Sequence, residues 1–536
     1  MRFKIPLARF TICLLLLVTL VKGVVWSILV PPWNAPDEDT HFEYAQIIER
    51  FAILHPDPGS WKPEELAILL NLAQIRPAAF NINRLVDLSL RQSLAEQVRR
   101  LDDPAIKYHY VYDDGYLFSI IRNFVNDHPP LYYWLAGAIQ ASLEDKSILV
   151  RILFNRWLSV FLGVITVALA YRAGKEIWRN EAWACFLATL VSFQPLMTFM
   201  TAVISDGALG IAMFSACTVL MLRVIRNGWT ARRAWALAVL LGLGLLARTS
   251  LVILIPVLML LFLWNARAFL REKRFIPGAL APIVSVLTIA LLIAGWWYKS
   301  TGFDNSDTRI NFFISGITRL TTSWRQSAAN YDWINAFNPV LGMYWGNFGW
   351  LDTPFPQGLY LFLTGVTVIA VYITVWWLLR HIFSGEQTAD SRQPSMFFML
   401  GIQTIFLIIL YAYLDFRFFN IGGIYRPQGR YFLPAIVGQM TWLAIGLVSP
   451  TPARLRRAWM WLVVLGMVAL NIYSLFSVIT LRYYGARNLL LVADRAAVLQ
   501  PIGADSILVL CAIFSLLAGA LVFALWRLFE NSPDST

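Results

Sequence analysis

Residues 10–30, FTICLLLLVTLVKGVVWSILV, run directly into residues 31–42, PPWNAPDEDTHF. The first stretch is long enough to cross a bilayer as a helix, which takes roughly 20 apolar residues. The second puts three carboxylates and an imidazole, Asp37, Glu38, Asp39 and His41, where the chain leaves the membrane. Charge at a membrane boundary is costly unless it has a partner or a task. This junction therefore points both to the class of protein and to the place to look for chemistry. Arg2, Lys4 and Arg9 precede the apolar stretch, but it is longer than the apolar region of a signal peptide and no small-x-small cleavage site follows. It reads as a retained first span, with Lys22 snorkelling to the outer interface.

Working outward, apolar runs recur at roughly 150–171, 180–203, 206–226, 233–247, 249–265, 276–298, 358–379, 395–414, 431–449, 456–479 and 505–526. With the first they make about twelve spans. A piece at 130–144 is short for a crossing and would be a thirteenth. The pair 233–247 and 249–265 is also short and suits a shallow hairpin. Of the 536 residues, 58% are hydrophobic and 14% charged, against about 25% charged in an ordinary soluble domain. The fold class is an all-α polytopic membrane protein.

The net charge of +12 does not indicate nucleic acid. Lys and Arg collect in the short connections 172–179, 223–233, 267–274, 380–392 and 454–457, where the positive-inside rule expects cytoplasmic loops. With the N-terminus cytoplasmic and 130–144 not crossing, the long connections 32–149, 299–357 and 480–504 all fall outside. So do the turn at Ser205-Asp206 and the segment 415–430. The chain divides into residues 1–31 (N-terminus and first span), 32–149 (an external loop with the acidic motif), 150–298 (spans), 299–357 (an external loop suited to a lid or acceptor contact) and 358–536 (C-terminal spans). Apolar residues at helical spacing in 62–76 and 83–101 suggest amphipathic helices on the outer surface. Cys13, Cys185, Cys217 and Cys511 lie in apolar runs without CxxC spacing and read as packing residues. No internal repeat is visible, which weakens an inverted-repeat transporter.

Three constellations can carry chemistry. The opening cluster reads two ways. Asp37 after Pro36 suits an N-cap, and Thr40 with Glu43 resembles a capping box. Alternatively Asp37 is a general base, with Glu38 second choice. A helix starting here puts Asp37 and His41 on one face, and apolar surroundings raise a carboxyl pKa toward useful proton uptake. The second constellation is Asp127-His128-Pro129-Pro130-Leu131-Tyr132-Tyr133-Trp134, readable as an aromatic belt or as a phosphate or metal contact through His128 and Asp127. The third is Tyr425-Arg426-Pro427-Gln428-Gly429-Arg430-Tyr431. Arg426 and Arg430 either snorkel or grip an anion with their planar forks. Asp206, in a minimal turn, either caps the next helix or joins His41 and Asp127 around a divalent cation. Arg248, at the matching end of the short hairpin, can pair with Asp206 or a phosphate. No Walker A, HExxH, GxSxG or dinucleotide motif is present, so energy must come from an activated substrate or a gradient.

These constellations, in this order, resemble those of the GT-C membrane glycosyltransferases, a group that includes protein O-mannosyltransferases and the aminoarabinose transferases of lipid A. Pro36-Asp37-Glu38 is similar to their acidic pair in the first external loop. The stretch from His128 to Trp134 is similar to the charged-Pro-Pro-Leu-x-Tyr-Trp motif that closes that loop, with His where several relatives have Lys. Together with Gln428-Gly429-Arg430-Tyr431, the set most resembles a bacterial branch grouped beside those transferases.

The resemblance implies a GT-C-like bundle, a polyprenyl-phosphate-sugar donor and an acceptor hydroxyl on a lipid, glycan or protein. It implies an inverting displacement with Asp37 or Glu38 as base. His128, Arg426 and Arg430, with Gln428 and Arg248, would receive the phosphate. No nucleotide cofactor is implied, and a divalent metal is a candidate. The expected place is the inner or plasma membrane, with the site facing the periplasm or exterior. The rivals are a transporter or flippase for lipid-linked sugars, a non-catalytic scaffold for envelope assembly, and an O-antigen ligase or polymerase. The last is built around external arginines rather than an acidic first loop.

Overall fold

The computed structural model describes residues 6–51, 96, 128–271, 331–383, 392–422 and 428–531. Helix α1 (Leu7–Leu29) is the expected first span, and a non-helical segment joins it to α2 (Glu38–Phe51). Next come α3 (Leu131–Ser142), α4 (Ile148–Trp178), α5 (Glu181–Phe193), α6 (Pro195–Met200), α7 (Asp206–Asn227) and α8 (Ala231–Ala247). A 3-10 turn (Thr249–Ile253) leads into α9 (Leu254–Arg271). Then follow α10 (Trp333–Gly346), a hairpin of β1 (Asn347–Phe348) and β2 (Thr353–Pro354), α11 (Gln357–Phe383) and α12 (Gln393–Gly422). The last part comprises a 3-10 turn (Gly429–Ala435), α13 (Ile436–Val448), α14 (Ala453–Tyr473), a π-turn (Ser474–Ile479), α15 (Thr480–Tyr484), α16 (Leu489–Ala497) and α17 (Ala504–Glu530).

Among the described residues, 8 helical segments are long and apolar enough to cross a membrane, and Glu181–Phe193 and Thr249–Leu263 are shorter apolar helices. The all-α polytopic reading holds. Helix α3 has 12 residues, about 18 Å of helix, and is too short to cross a hydrocarbon core of about 30 Å. The expected span at 276–298 and the amphipathic stretches at 62–76 and 83–101 lie outside the described residues. Within 299–357, the described part folds into α10 and the hairpin.

The spans Asp206–Asn227 and Gly429–Val448 are 72% and 78% buried, whereas Gln357–His381 is 17% buried. Helices α7 and α13 therefore form the middle of the bundle, and α11 lies at its rim with an apolar surface suited to lipid.

The expected single span at 180–203 is broken. Pro195 has no N–H to give to a helical ladder, and the chain stops at Phe193 and restarts as α6. Backbone freed at membrane depth must find donors inside the protein. Lys22 donates to the Ser192 carbonyl, to Ser192 Oγ at 3.3 Å and to Thr198 Oγ1 at 3.1 Å. Asn471 Nδ2 donates to the Phe193 carbonyl at 3.2 Å.

Lys22 is therefore not snorkelling. It is 1% exposed, with its ammonium 4.4 Å from the Phe193 ring centroid. Lys22→Met should lower stability by about 1–3 kcal/mol, the usual cost of orphaning a buried acceptor. Thermal unfolding in detergent checks this, and an unchanged midpoint would contradict the capping role.

Candidate functional site

Pro31, Pro32 and Pro36 keep the segment between α1 and α2 out of a helix, and Trp33 and Asp37 adopt left-handed conformations (φ 60 and 62). Each buried carbonyl in such a segment needs its own donor. From Ser27 to Asp37 every one has it. Arg156 serves Ser27, Val30 and Pro31 at 2.6, 2.5 and 2.9 Å. Gln500 serves Ile28 at 2.8 Å, and the Tyr484 hydroxyl serves Leu29 at 3.0 Å. Asn34 Nδ2 serves Pro32, Trp350 Nε1 serves Trp33 and the Tyr483 hydroxyl serves Asn34, at 3.0, 3.1 and 3.1 Å. The Glu38 amide serves Ala35 at 3.3 Å and Arg430 Nη1 serves Pro36 at 3.2 Å. Asp37 O accepts from the Thr40 hydroxyl at 2.7 Å and the His41 amide at 3.0 Å. The donors come from α4, α15, the hairpin, the Gly429–Ala435 turn and the approach to α17, so the acidic segment is fixed by the whole bundle.

The acidic pair divides in two. Glu38 is fully buried. Its Oε1 accepts from Arg156 Nε at 2.7 Å and the Ile204 amide at 3.1 Å, and its Oε2 from Arg156 Nη2 at 2.7 Å and the Trp33 amide at 2.9 Å. A carboxylate so engaged has no lone pair left for an acceptor proton. This corrects the expectation that Glu38 is the second candidate base.

Asp37 points the other way. Its side chain is 39% exposed, and Oδ2 accepts from Arg430 Nη2 at 2.8 Å. The left-handed turn takes it off the face it would share with His41 in a continuing helix. Burial alone would raise its pKa. The charge of Arg430, then smaller contributions from His41, the Arg430 hydrogen bond and His128, outweigh this and hold the carboxyl below its usual value. The expected upward shift is thus reversed by a residue 393 positions away in sequence.

Beside this pair lies a second group. Asp206 opens α7 after the Ser205 cap. Its Oδ2 meets His128 Nδ1 at 2.7 Å, its Oδ1 accepts from Arg248 Nη1 at 3.2 Å, and His41 Nε2 lies 3.9 Å from Oδ1. Arg248 runs across Gly210, where an added Cβ would come within 2.8 Å of its Cδ. His41 Nδ1 is held by the Tyr133 hydroxyl at 2.7 Å. Burial pushes the His41 pKa down to about 4, against the opposing pull of Asp206, so His41 is neutral at pH 7. The His41 and His128 rings meet edge to face at 5.6 Å.

Tyr132 and Tyr133 are buried rather than forming an aromatic belt. The Tyr132 hydroxyl accepts from the Ser205 amide at 3.1 Å and pairs with Ser159 Oγ at 3.0 Å. The side chains of Asp206 and His41 are 2% and 4% exposed, and that of His128 is 22%. The group therefore opens through Asp37 and His128.

Arg430 Nε and Gln428 Oε1 are buried without a partner among the described residues. Gly429, between them, lies against the Met343–Tyr344 backbone, and a Cβ there would collide with it. Gly429→Ala should cost about 2 kcal/mol of stability, as overpacking does, and should lower activity by moving Arg430 off Asp37. A variant with wild-type unfolding and activity would contradict this.

The structure brings together Asp37, His41, His128, Asp206, Arg248 and Arg430 from five separate stretches. Asp127 and Arg426 lie outside the described residues. Sequence reasoning passed over Arg156, Gln500, Tyr483 and Tyr484. A charge inside an apolar run was a usable signal for the first.

Residues 20–439 match the family model described as predicted membrane protein DUF2142. Two crystal structures of ArnT from Cupriavidus metallidurans are similar to the chain. The apo structure is 14% identical with a TM-score of 0.44, covering 96% of this chain and 75% of that one. The structure bound to undecaprenyl phosphate is 14% identical with a TM-score of 0.41, covering 75% of this chain and 66% of that one, so the match spans just under two thirds of the latter's length. No curated protein matches the chain.

Proposed function

The chain belongs to the DUF2142 family of membrane proteins, and we propose that it is a membrane-embedded glycosyltransferase that moves a sugar from a polyprenyl-phosphate donor to an acceptor hydroxyl. One observation carries this reading. The motifs whose order resembles the GT-C transferases meet at one opening, where an ionised, half-exposed Asp37 lies against Arg430, which has an unused donor. A lipid-linked donor reaches such a site sideways from the bilayer, and no nucleotide-binding fold is needed.

The division of labour follows from charge. The acceptor O–H hydrogen-bonds to the free oxygen of Asp37. As the acceptor oxygen bonds to the anomeric carbon, its proton passes to that carboxylate, and the bond from carbon to the phosphate oxygen breaks. The departing phosphate gathers negative charge, which fixed cationic donors stabilise. The Arg430 guanidinium beside Asp37 faces that role, and Arg248 adds positive charge behind Asp206. A carboxylate with a lowered pKa is a weak base. That suffices where the sugar carbon becomes cation-like before the acceptor proton leaves. A single displacement inverts the anomeric centre. The site is proposed to face the periplasm or exterior of the inner or plasma membrane, opposite the basic connections.

His41, His128 and Asp206 are also proposed to hold a divalent cation. Their ligand atoms lie within 4.8 Å of one another. His41 is neutral, as a ligand must be, and the Tyr133 hydroxyl orients it from behind as a supporting partner would. Two imidazoles and a carboxylate suit zinc or a similar ion, which would supply positive charge beside the leaving phosphate. Elemental analysis of purified protein should find a bound divalent metal that Asp206→Asn removes. A metal-free wild type after supplementation would withdraw this part.

The transferase reading is tested by deleting the gene. One sugar should vanish from an envelope glycoconjugate while its polyprenyl-phosphate form accumulates. An unchanged lipid and glycan profile would turn the assignment toward a transporter or scaffold.

A further inference from the structure

We infer that Arg156 and Glu38 act as a positioning pair that sets Asp37 and Asp206 in one frame, an inference that rests on the transferase reading above. The geometry is closed on both sides. Arg156 has five N–H donors, and each has an acceptor: Glu38 Oε1 for Nε, Ser27 O and Val30 O for Nη1, and Pro31 O and Glu38 Oε2 for Nη2. Glu38 completes its set with the amides of Trp33 and Ile204. One ion pair thus ties together the end of α1, the acidic segment, the interior of α4 and the turn before α7. Asp37 directly precedes Glu38, and Asp206 lies two residues beyond Ile204. The exposed acid Asp37 and the buried acid Asp206 are therefore referenced to the same buried carboxylate.

Arg156 is 1% exposed and Glu38 0%. Neither reaches a substrate, so their effect on chemistry runs through the groups they hold. Site groups must be kept in near-reactive geometry, and a shift of about 1 Å can cost about 100-fold in rate. A lysine at position 156 would bring three donors to a site that uses five.

The test uses membranes from cells whose only copy of the full-length chain is the wild type, Glu38→Met/Arg156→Met or Arg156→Lys, at measured abundance. The probe is the polyprenyl-phosphate-sugar fraction extracted from the deletion strain, and the readout is released polyprenyl phosphate. The double variant replaces the ion pair with apolar side chains of similar length, which proteins often tolerate. Its kcat should fall about 100-fold with donor KM nearly unchanged, and Arg156→Lys should fall at least about tenfold.

Either variant, present at wild-type abundance, with kcat within about threefold of wild type would overturn the inference, as would a raised KM at unchanged kcat. If the double variant is absent from the membrane, Arg156→Lys decides. Absence of both marks the pair as support for the fold alone, which also overturns the inference. No release from wild-type membranes would instead sink the transferase reading and this inference with it.

Discussion

Asp37→Asn is expected to fold and reach the membrane normally yet transfer sugar about 10²–10⁴-fold more slowly, the usual contribution of a positioned acid or base. Asparagine matches aspartate in shape, and its oxygen can still accept from Arg430 Nη2. Arg430 keeps the Pro36 carbonyl as a second acceptor. The half-exposed position means that no deeply buried charge is stranded, so stability should change by less than about 1 kcal/mol. What is lost is the ability to take a proton.

The acid limb of the pH profile carries the same information. The Asp37 carboxyl is held below its ordinary value. Its ionised form, and any stability it lends by pairing with Arg430, is fully present above the ordinary carboxyl pKa of about 4. Both are lost as pH falls through the lower folded value. Transfer should therefore be insensitive to this group between about pH 5 and 7. Arg430→Gln should move the acid limb upward, because burial is then opposed only by the smaller contributions of His41 and His128. An acid limb that ignores Arg430 would remove Asp37 as its origin.

Arg156→Met alone is expected to be the most damaging single change to the fold, costing about 3–5 kcal/mol, as when one partner of a buried ion pair is removed. Glu38 would stay buried with only the Trp33 and Ile204 amides, and the carbonyls of Ser27, Val30 and Pro31 would lose their shared donor. Membrane abundance and thermal unfolding read this directly. Adding Glu38→Met should restore much of the loss, since the stranded carboxylate is then gone. A single variant as stable as the wild type would mean that water or another donor replaces Arg156.

Most of the described spans and most of the candidate site were legible in sequence for one reason. Apolar runs mark the membrane, and charges at their ends stand out. Asp37, His128, Asp206, Arg248 and Arg430 were all found that way. Direction was not legible. Asp37 and Glu38 are adjacent, and only the left-handed backbone at Asp37 sends one outward and the other inward. The sign of the Asp37 shift depends on Arg430, whose approach no local pattern announces. Lys22 looked like a snorkelling residue because its partners, Ser192 and Thr198, are freed by a helix break elsewhere. Pro195 was a readable cause of that break. Arg156 was hidden by its own apolar run, although a charge in such a place asks for a partner, and Glu38 is that partner.

The most direct test of the central claim, that Asp37 drives transfer from a prenyl-phosphate donor, is mass spectrometry of envelope glycolipids and polyprenyl-phosphate sugars. It compares the wild type with a chromosomal Asp37→Asn strain of equal protein level. The account predicts loss of one sugar from a glycoconjugate together with build-up of its prenyl-phosphate donor. An unchanged profile in both fractions would contradict it.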